Sequence, residues 1–148
     1  MYRRILLCYD GTAEGRKALR EGAEVAIAMR AETFLLAICR EMLASTIPEG
    51  VTPELMSCRE STASSLLQEG VEKLRAHGLA AEGELVIGDP IVEIPAAAKR
   101  LRPDLIVVGH RARGRLARWW SDSPQQTLLD LVSCSILVCS NALPDEQG

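Results

Sequence analysis

Aromatic residues are scarce in this chain: two Trp, two Tyr and one Phe among 148 residues, with a formal net charge of -3. An acidic chain with few rings is a poor candidate for nucleic-acid binding, so any basic site must be local. Histidine is limited to His77 and His110, too few for a zinc site and joined by no sequence argument to a nucleophile. The five cysteines, at 8, 39, 58, 134 and 139, form no C-x-x-C pair. Cys8, Cys39 and Cys139 fall inside or at the ends of apolar runs and read as small buried hydrophobes in a reducing compartment. No apolar stretch approaches the ~18 residues of a membrane span. Arg3-Arg4 followed by Ile5–Tyr9 imitates the start of a signal peptide, but the run is too short and Asp10-Gly11-Thr12 ends it as a strand-to-helix turn would. There is no repeat, low-complexity tract or linker. These absences leave one cytoplasmic domain over residues 1–148, its last eight residues a polar tail, with neither membrane nor nucleic acid as partner.

What is present is a regular alternation. Hydrophobic residues make up 47% of the chain and charged residues 25%, which excludes disorder. Arg3–Tyr9, Glu32–Cys39, Ala81–Ile87, Asp104–Gly109 and Ser135–Cys139 read as strands. Between the first two, Ala13–Arg30 repeats apolar residues at three- and four-residue spacing (Ala18, Leu19, Gly22, Val25, Ala26, Met29), with Thr12 as its N-cap. The second helix opens at Thr52-Pro53, or later at Ser57 or Ser61, and stops at His77-Gly78. Asp89-Pro90 starts the third helix, Pro95 should kink it, and Arg102-Pro103 ends it. Ser123-Pro124-Gln125-Gln126 combines an N-cap serine, a first-position proline and a third-position glutamine, the signature of a last helix.

Strands alternating with helices predict right-handed β-α-β crossovers, hence an α/β fold: a doubly wound parallel sheet with helices on both faces. Ligands in such sheets sit beyond the carboxyl ends of the strands, where the winding reverses. Asp10 ends the first strand and Gly109 the fourth. If these strands are neighbours, both residues line one crevice.

Four segments, I-L-L-C-Y-D-G-T at Ile5–Thr12, G-D-P at Gly88–Pro90, D-L-I-V-V-G-H-R at Asp104–Arg111 and C-S-I-L-V at Cys134–Val138, resemble the universal stress protein family in order, spacing and total length. The resemblance implies a five-stranded sheet of order 3-2-1-4-5. It further implies a small stress-response protein without an agreed catalytic activity, and a homodimer joined through the last strand. Some members bind ATP through G-x2-G-x9-G-[S/T]. On this chain the first glycine is Gly109, the second position holds Ala112, the third holds Asp122, and Ser123 is retained.

The resemblance places Asp10 at ribose or adenine, Ile38 at the adenine, and Gly109, Arg111, Arg113, Ser123 and Pro124 around the ribose and phosphates of ATP or AMP. Asp122, next to the N-cap, competes for the place of a phosphate. Two like charges about 5 Å apart at an effective dielectric near 20 repel by roughly 3 kcal/mol, about a hundredfold in affinity. Arg111, Arg113, Arg115 and Arg118 oppose that repulsion or pair with Asp122. The expectation is therefore a non-catalytic homodimer with an altered nucleotide loop, and the alternative an ATP/AMP sensor using loop arginines in place of glycines. Trp119-Trp120 suggests one ring tucked under the loop and one facing a ligand or partner chain. No metal site and no enzyme are expected.

Overall fold

The computed structural model describes residues 1–39, 53–110 and 128–140, and of residues 53–60 and 110 the backbone alone. The described elements alternate strand and helix throughout: β1 (Arg4–Tyr9), α1 (Ala13–Met29), β2 (Glu32–Cys39), α2 (Pro53–Ala76), β3 (Ala81–Ile87), α3 (Pro90–Leu101), β4 (Leu105–His110), α4 (Leu128–Leu131) and β5 (Ser135–Ser140). All strands run parallel in one sheet of order β3-β2-β1-β4-β5. Right-handed crossovers that first move one way from β1 and then the other put α1 and α2 on one face and α3 and α4 on the opposite one.

The continuous apolar run of β1 is explained by its central position. Ile5, Leu7 and Tyr9 point into the core under α1 and α2, while Leu6 and Cys8 point into the core under α3 and α4. Side chains alternate across a strand, so a strand covered on both faces is apolar at every position. Each fully buried Leu or Ile contributes roughly 1.5–3 kcal/mol relative to exposure.

Helix α1 lies close to the sheet because its inner face is built from small residues: Gly15, Ala18, Gly22, Ala23 and Ala26 are buried beside Leu19. This stripe is rotated slightly from the expected one, leaving Val25 and Met29 half-buried. A Cβ at Gly22 would collide with the side chain of Leu7.

Helix ends follow the sequence signals. Thr12 caps α1 by accepting from Gly15 N, and Asp89 caps α3 by accepting from Ile91 N at 3.1 Å, with Pro90 in the first turn. Helix α2 starts at Pro53, the earliest of the expected positions, and α3 continues through Pro95. Both α1 and α3 end on an arginine in the left-handed region, Arg30 (φ 54°) and Arg102 (φ 51°). That conformation costs a side-chain-bearing residue about 1–2 kcal/mol and is ordinarily given to glycine.

At the amino-terminal end of the sheet, Asp104 is spent as a clip between strands rather than as the first residue of β4. Its Oδ2 accepts from Arg3 N at 2.8 Å and its Oδ1 from Arg4 N at 3.0 Å. Burial acts to raise the Asp104 pKa, but these amide hydrogen bonds outweigh it and hold the carboxyl below its ordinary value. Arg4 donates to Glu32 Oε2 and to Leu101 O, and lies 5.9 Å over the Phe34 ring. At the other end, β4 and β5 each run one residue further than expected because His110 pairs with Ser140.

The two sheet edges differ in chemistry. Edge strand β3 exposes Glu82, Gly83 and Glu84, and Glu84 is ion-paired with Arg100 at 2.5 Å. Edge strand β5 carries no charge, and Leu137 and Val138 are 38% and 40% exposed.

Candidate functional site

The carboxyl end of β1 turns into α1 through Asp10-Gly11-Thr12. Gly11 adopts φ 88°, a conformation in which a side chain would be strained. The turn folds the Asp10 carboxylate back onto the helix entrance: Oδ1 accepts from Thr12 N at 3.1 Å and from Thr12 Oγ1 at 2.5 Å. Thr12 Oγ1 in turn accepts from Gly15 N at 2.9 Å. One carboxylate oxygen is thus fixed by the local turn. The other, Oδ2, is buried and has no hydrogen-bond partner among the described residues.

Strand β4 reaches the same place from the neighbouring position in the sheet. The pairing Leu7↔Val107 carries Gly109 to the level of Tyr9, one residue before Asp10. Gly109 is buried, and a Cβ added there would fall within 3.0 Å of the backbone of Glu14 and Gly15, closer than real Cβ atoms approach. Its φ is not in the positive region, so glycine is required here by the close approach of α1 and not by a left-handed turn. A Cβ at Gly15 would in turn meet Asp10 Oδ1. Asp10, Gly15 and Gly109 therefore come together through the first turn of α1, at the carboxyl ends of the neighbouring strands β1 and β4.

Of the remaining expected residues, Ile38 lies at the carboxyl end of β2, 2% exposed, in the core under α3. Arg111, Arg113, Ser123 and Pro124 lie outside the described residues, as do Ala112, Asp122, Trp119 and Trp120. Reading the sequence alone missed Glu14 and Gly15. Glu14 is half-buried, with Oε2 fully covered. The available signal was a glycine one turn into an otherwise good helix, which marks close backbone approach.

Among the described residues no three His, Cys, Asp or Glu side chains converge as a metal site, and no helix is long and apolar enough to cross a membrane. The thiols near the crevice are unreactive by environment. Burial first, and then the Asp10 charge, push the Cys8 thiol far up; burial and the neighbouring Glu21 carboxylate push Cys139 up to about 11. Two surface depressions lie away from the crevice, one of about 320 Å³ between β2, β3 and the end of α3, the other of about 270 Å³ where β2 and β3 begin.

Comparison with known proteins agrees with this architecture. The profile of the universal stress protein family matches residues 1–140. The universal stress protein YxiE of Bacillus subtilis is 27% identical over 146 residues, covering 93% of this chain and 99% of the relative. A universal stress protein solved in complex with cAMP superposes with a TM-score of 0.64 at 18% identity, over 93% of this chain and 96% of that one. A family member from Arabidopsis thaliana with AMP bound superposes with a TM-score of 0.61 at 18% identity, over 97% of both chains. The parallel 3-2-1-4-5 sheet, the Asp10 turn packed against Gly109 and the family match along nearly the whole chain lead to one assignment: this chain belongs to the universal stress protein family.

Proposed function

We propose that this chain is a small, non-catalytic stress-response protein of the cytoplasm, working as a homodimer and carrying an adenine-nucleotide crevice with an altered phosphate loop. The observation that carries the nucleotide reading is the Asp10 carboxylate, anchored through Oδ1 by Thr12 while its buried Oδ2 remains unspent among the described residues. A buried acceptor without a donor costs roughly 1–3 kcal/mol, and a ribose hydroxyl or an adenine amino group would supply one. Solved relatives hold cAMP, dAMP or AMP, which supports the same ligand class here. Ile38 closes the adenine side. Gly109, Arg111, Arg113, Ser123 and Pro124 are assigned to the ribose and phosphates, with Ala112 and Asp122 weakening the grip and the arginines offsetting that loss.

The dimer is assigned to β5. Exposed edge strands are ordinarily blunted by charge, as β3 is by Glu82 and Glu84, whereas the uncharged β5 edge with Leu137 and Val138 exposed favours pairing with a second copy. Calorimetric titration with AMP, and with ATP and magnesium, tests the crevice. Saturable binding is expected, tightened by Asp122→Gly and weakened by Arg111→Ala; no heat and no thermal shift at millimolar nucleotide ends the reading. Phosphate release from ATP should not exceed background. Light scattering at micromolar concentration should give the mass of a dimer.

A further inference from the structure

We propose that the amino-terminal end of the sheet, the pole opposite the crevice, is a docking surface for a linear polyphosphate chain held by Arg30, Arg3 and Arg102. Among the described residues only two non-glycine positions have positive φ, and both are arginines at this pole. Strain kept at two equivalent helix ends, where glycine would relieve it, points to a task for the side chains. Helix-dipole compensation does not account for both, because the last turn of α3 already holds Lys99 and Arg100 before Arg102 is reached.

The sheet sets the row. Glu32 N donates to Arg3 O and Asp104 N to Arg4 O, so Arg30 and Arg102 flank the start of β1 on its two sides. Arg30 ends α1 on one face of the sheet and Arg102 ends α3 on the opposite face, so the row crosses the sheet end, with Arg3 at the start of β1 between them. All three are exposed. Three carboxylates of this pole are engaged, Glu32 with Arg4, Glu84 with Arg100, and Asp104 with the Arg3 and Arg4 amides, while the exposed Glu82 stands on β3, two strands away from Arg3. None of the described ion pairs involves Arg3, Arg30 or Arg102. Beside Arg30 the depression of about 270 Å³, lined also by His77 and Glu32, offers room for a phosphate group. The rings at this end, Tyr2 and Phe34, are half-buried, with Phe34 beneath Arg4, so there is no exposed platform for stacking bases. A flexible phosphate chain without bases fits the row better than a nucleic acid.

The test is fluorescence anisotropy of end-labelled inorganic polyphosphate with the full chain, at low and moderate salt. Binding by the native protein should fall steeply with salt. Arg30→Gly/Arg102→Gly should weaken it about twentyfold while raising Tm by a few degrees, because glycine relieves both caps. A merely structural role predicts the Tm change alone. Arg3→Gln, which touches no cap, should also weaken binding, whereas Arg113→Gln in the loop and Asp10→Asn in the crevice should leave it unchanged. Absence of binding at low salt, equal affinity in the glycine double variant, loss on Arg113→Gln alone, or tighter binding of single-stranded RNA or anionic vesicles would each overturn the proposal. Since the Asp10 variant is silent here, failure of the nucleotide reading would be seen separately by calorimetry.

Discussion

Gly109→Ala separates two explanations for the glycine near the end of β4. If Gly109 serves only the approach of a phosphate, alanine should impair ligand binding and leave the ligand-free fold unchanged. The packing predicts otherwise. A Cβ at this position meets the backbone of Glu14 and Gly15, not the movable end of a side chain. Restoring ordinary contact near 3.4 Å requires the first turn of α1 to retreat by about an ångström from a sheet against which Gly15, Ala18 and Gly22 are already buried. Overpacking of this kind costs typically 1–3 kcal/mol, and the rigid neighbour places the expected value near 2–3. For a domain of this size the corresponding fall in Tm is roughly 6–12 °C. Gly83→Ala is the comparison: its Cβ would meet the side chains of Leu67 and Val71 rather than backbone, and since both are buried in the core the cost should be about 1–2 kcal/mol, below that of Gly109→Ala. Urea unfolding of the ligand-free variants measures both. A Gly109→Ala protein within about 0.5 kcal/mol of the native one would refute the close-packing argument and return Gly109 to a purely ligand-facing role. Because Asp10 rides on the same turn, Gly109→Ala should also weaken nucleotide binding, and more than stability alone explains.

Other expectations are independent of this one. Thr12→Ala removes the α1 cap and one anchor of Asp10, so it should cost about 1–2 kcal/mol in thermal or chemical unfolding, with Thr12→Ser recovering most of it. Asp104 has a lowered pKa in the fold, so its stabilising share is present above its unfolded value near 3.9 and disappears as pH falls through the lower folded value. The urea midpoints of native and Asp104→Asn proteins should therefore differ at pH 7 and converge below about pH 4. Alkylation at pH 8 followed by peptide mapping should find Cys8 and Cys139 protected in the folded protein and labelled in urea; rapid labelling of Cys139 in the native state would contradict its position against Glu21. Val138→Glu places a charge on the β5 edge and should convert the proposed dimer to monomer on light scattering without a large change in Tm, since Val138 is 40% exposed.

The order of elements, the helix caps at Thr12 and Asp89, and the two-sided burial of β1 were legible in the sequence because each depends on neighbours within a turn or a strand. Alternation of period two, helical spacing and capping residues are local signals. The crevice was legible in part: a strand ending on Asp10 and another ending on Gly109 were visible, and the resemblance supplied the order that makes them adjacent. What Gly109 does was not. Its requirement comes from Glu14 and Gly15, nearly a hundred residues away in the chain, and no local pattern records how closely a helix will approach a strand. The same holds for Asp104, which looks like the first residue of a strand and is a clip on the amides of Arg3 and Arg4. Arg30 and Arg102 read as ordinary surface cations at helix ends; only the backbone dihedrals reveal that they occupy positions ordinarily given to glycine. The sequence by itself determined the α/β class and the sites of its turns, since these follow from local propensity and hydrophobic period. The tertiary structure alone decided which oxygen of Asp10 is spent and which is left, because that depends on the turn, the helix and the neighbouring strand meeting in one place.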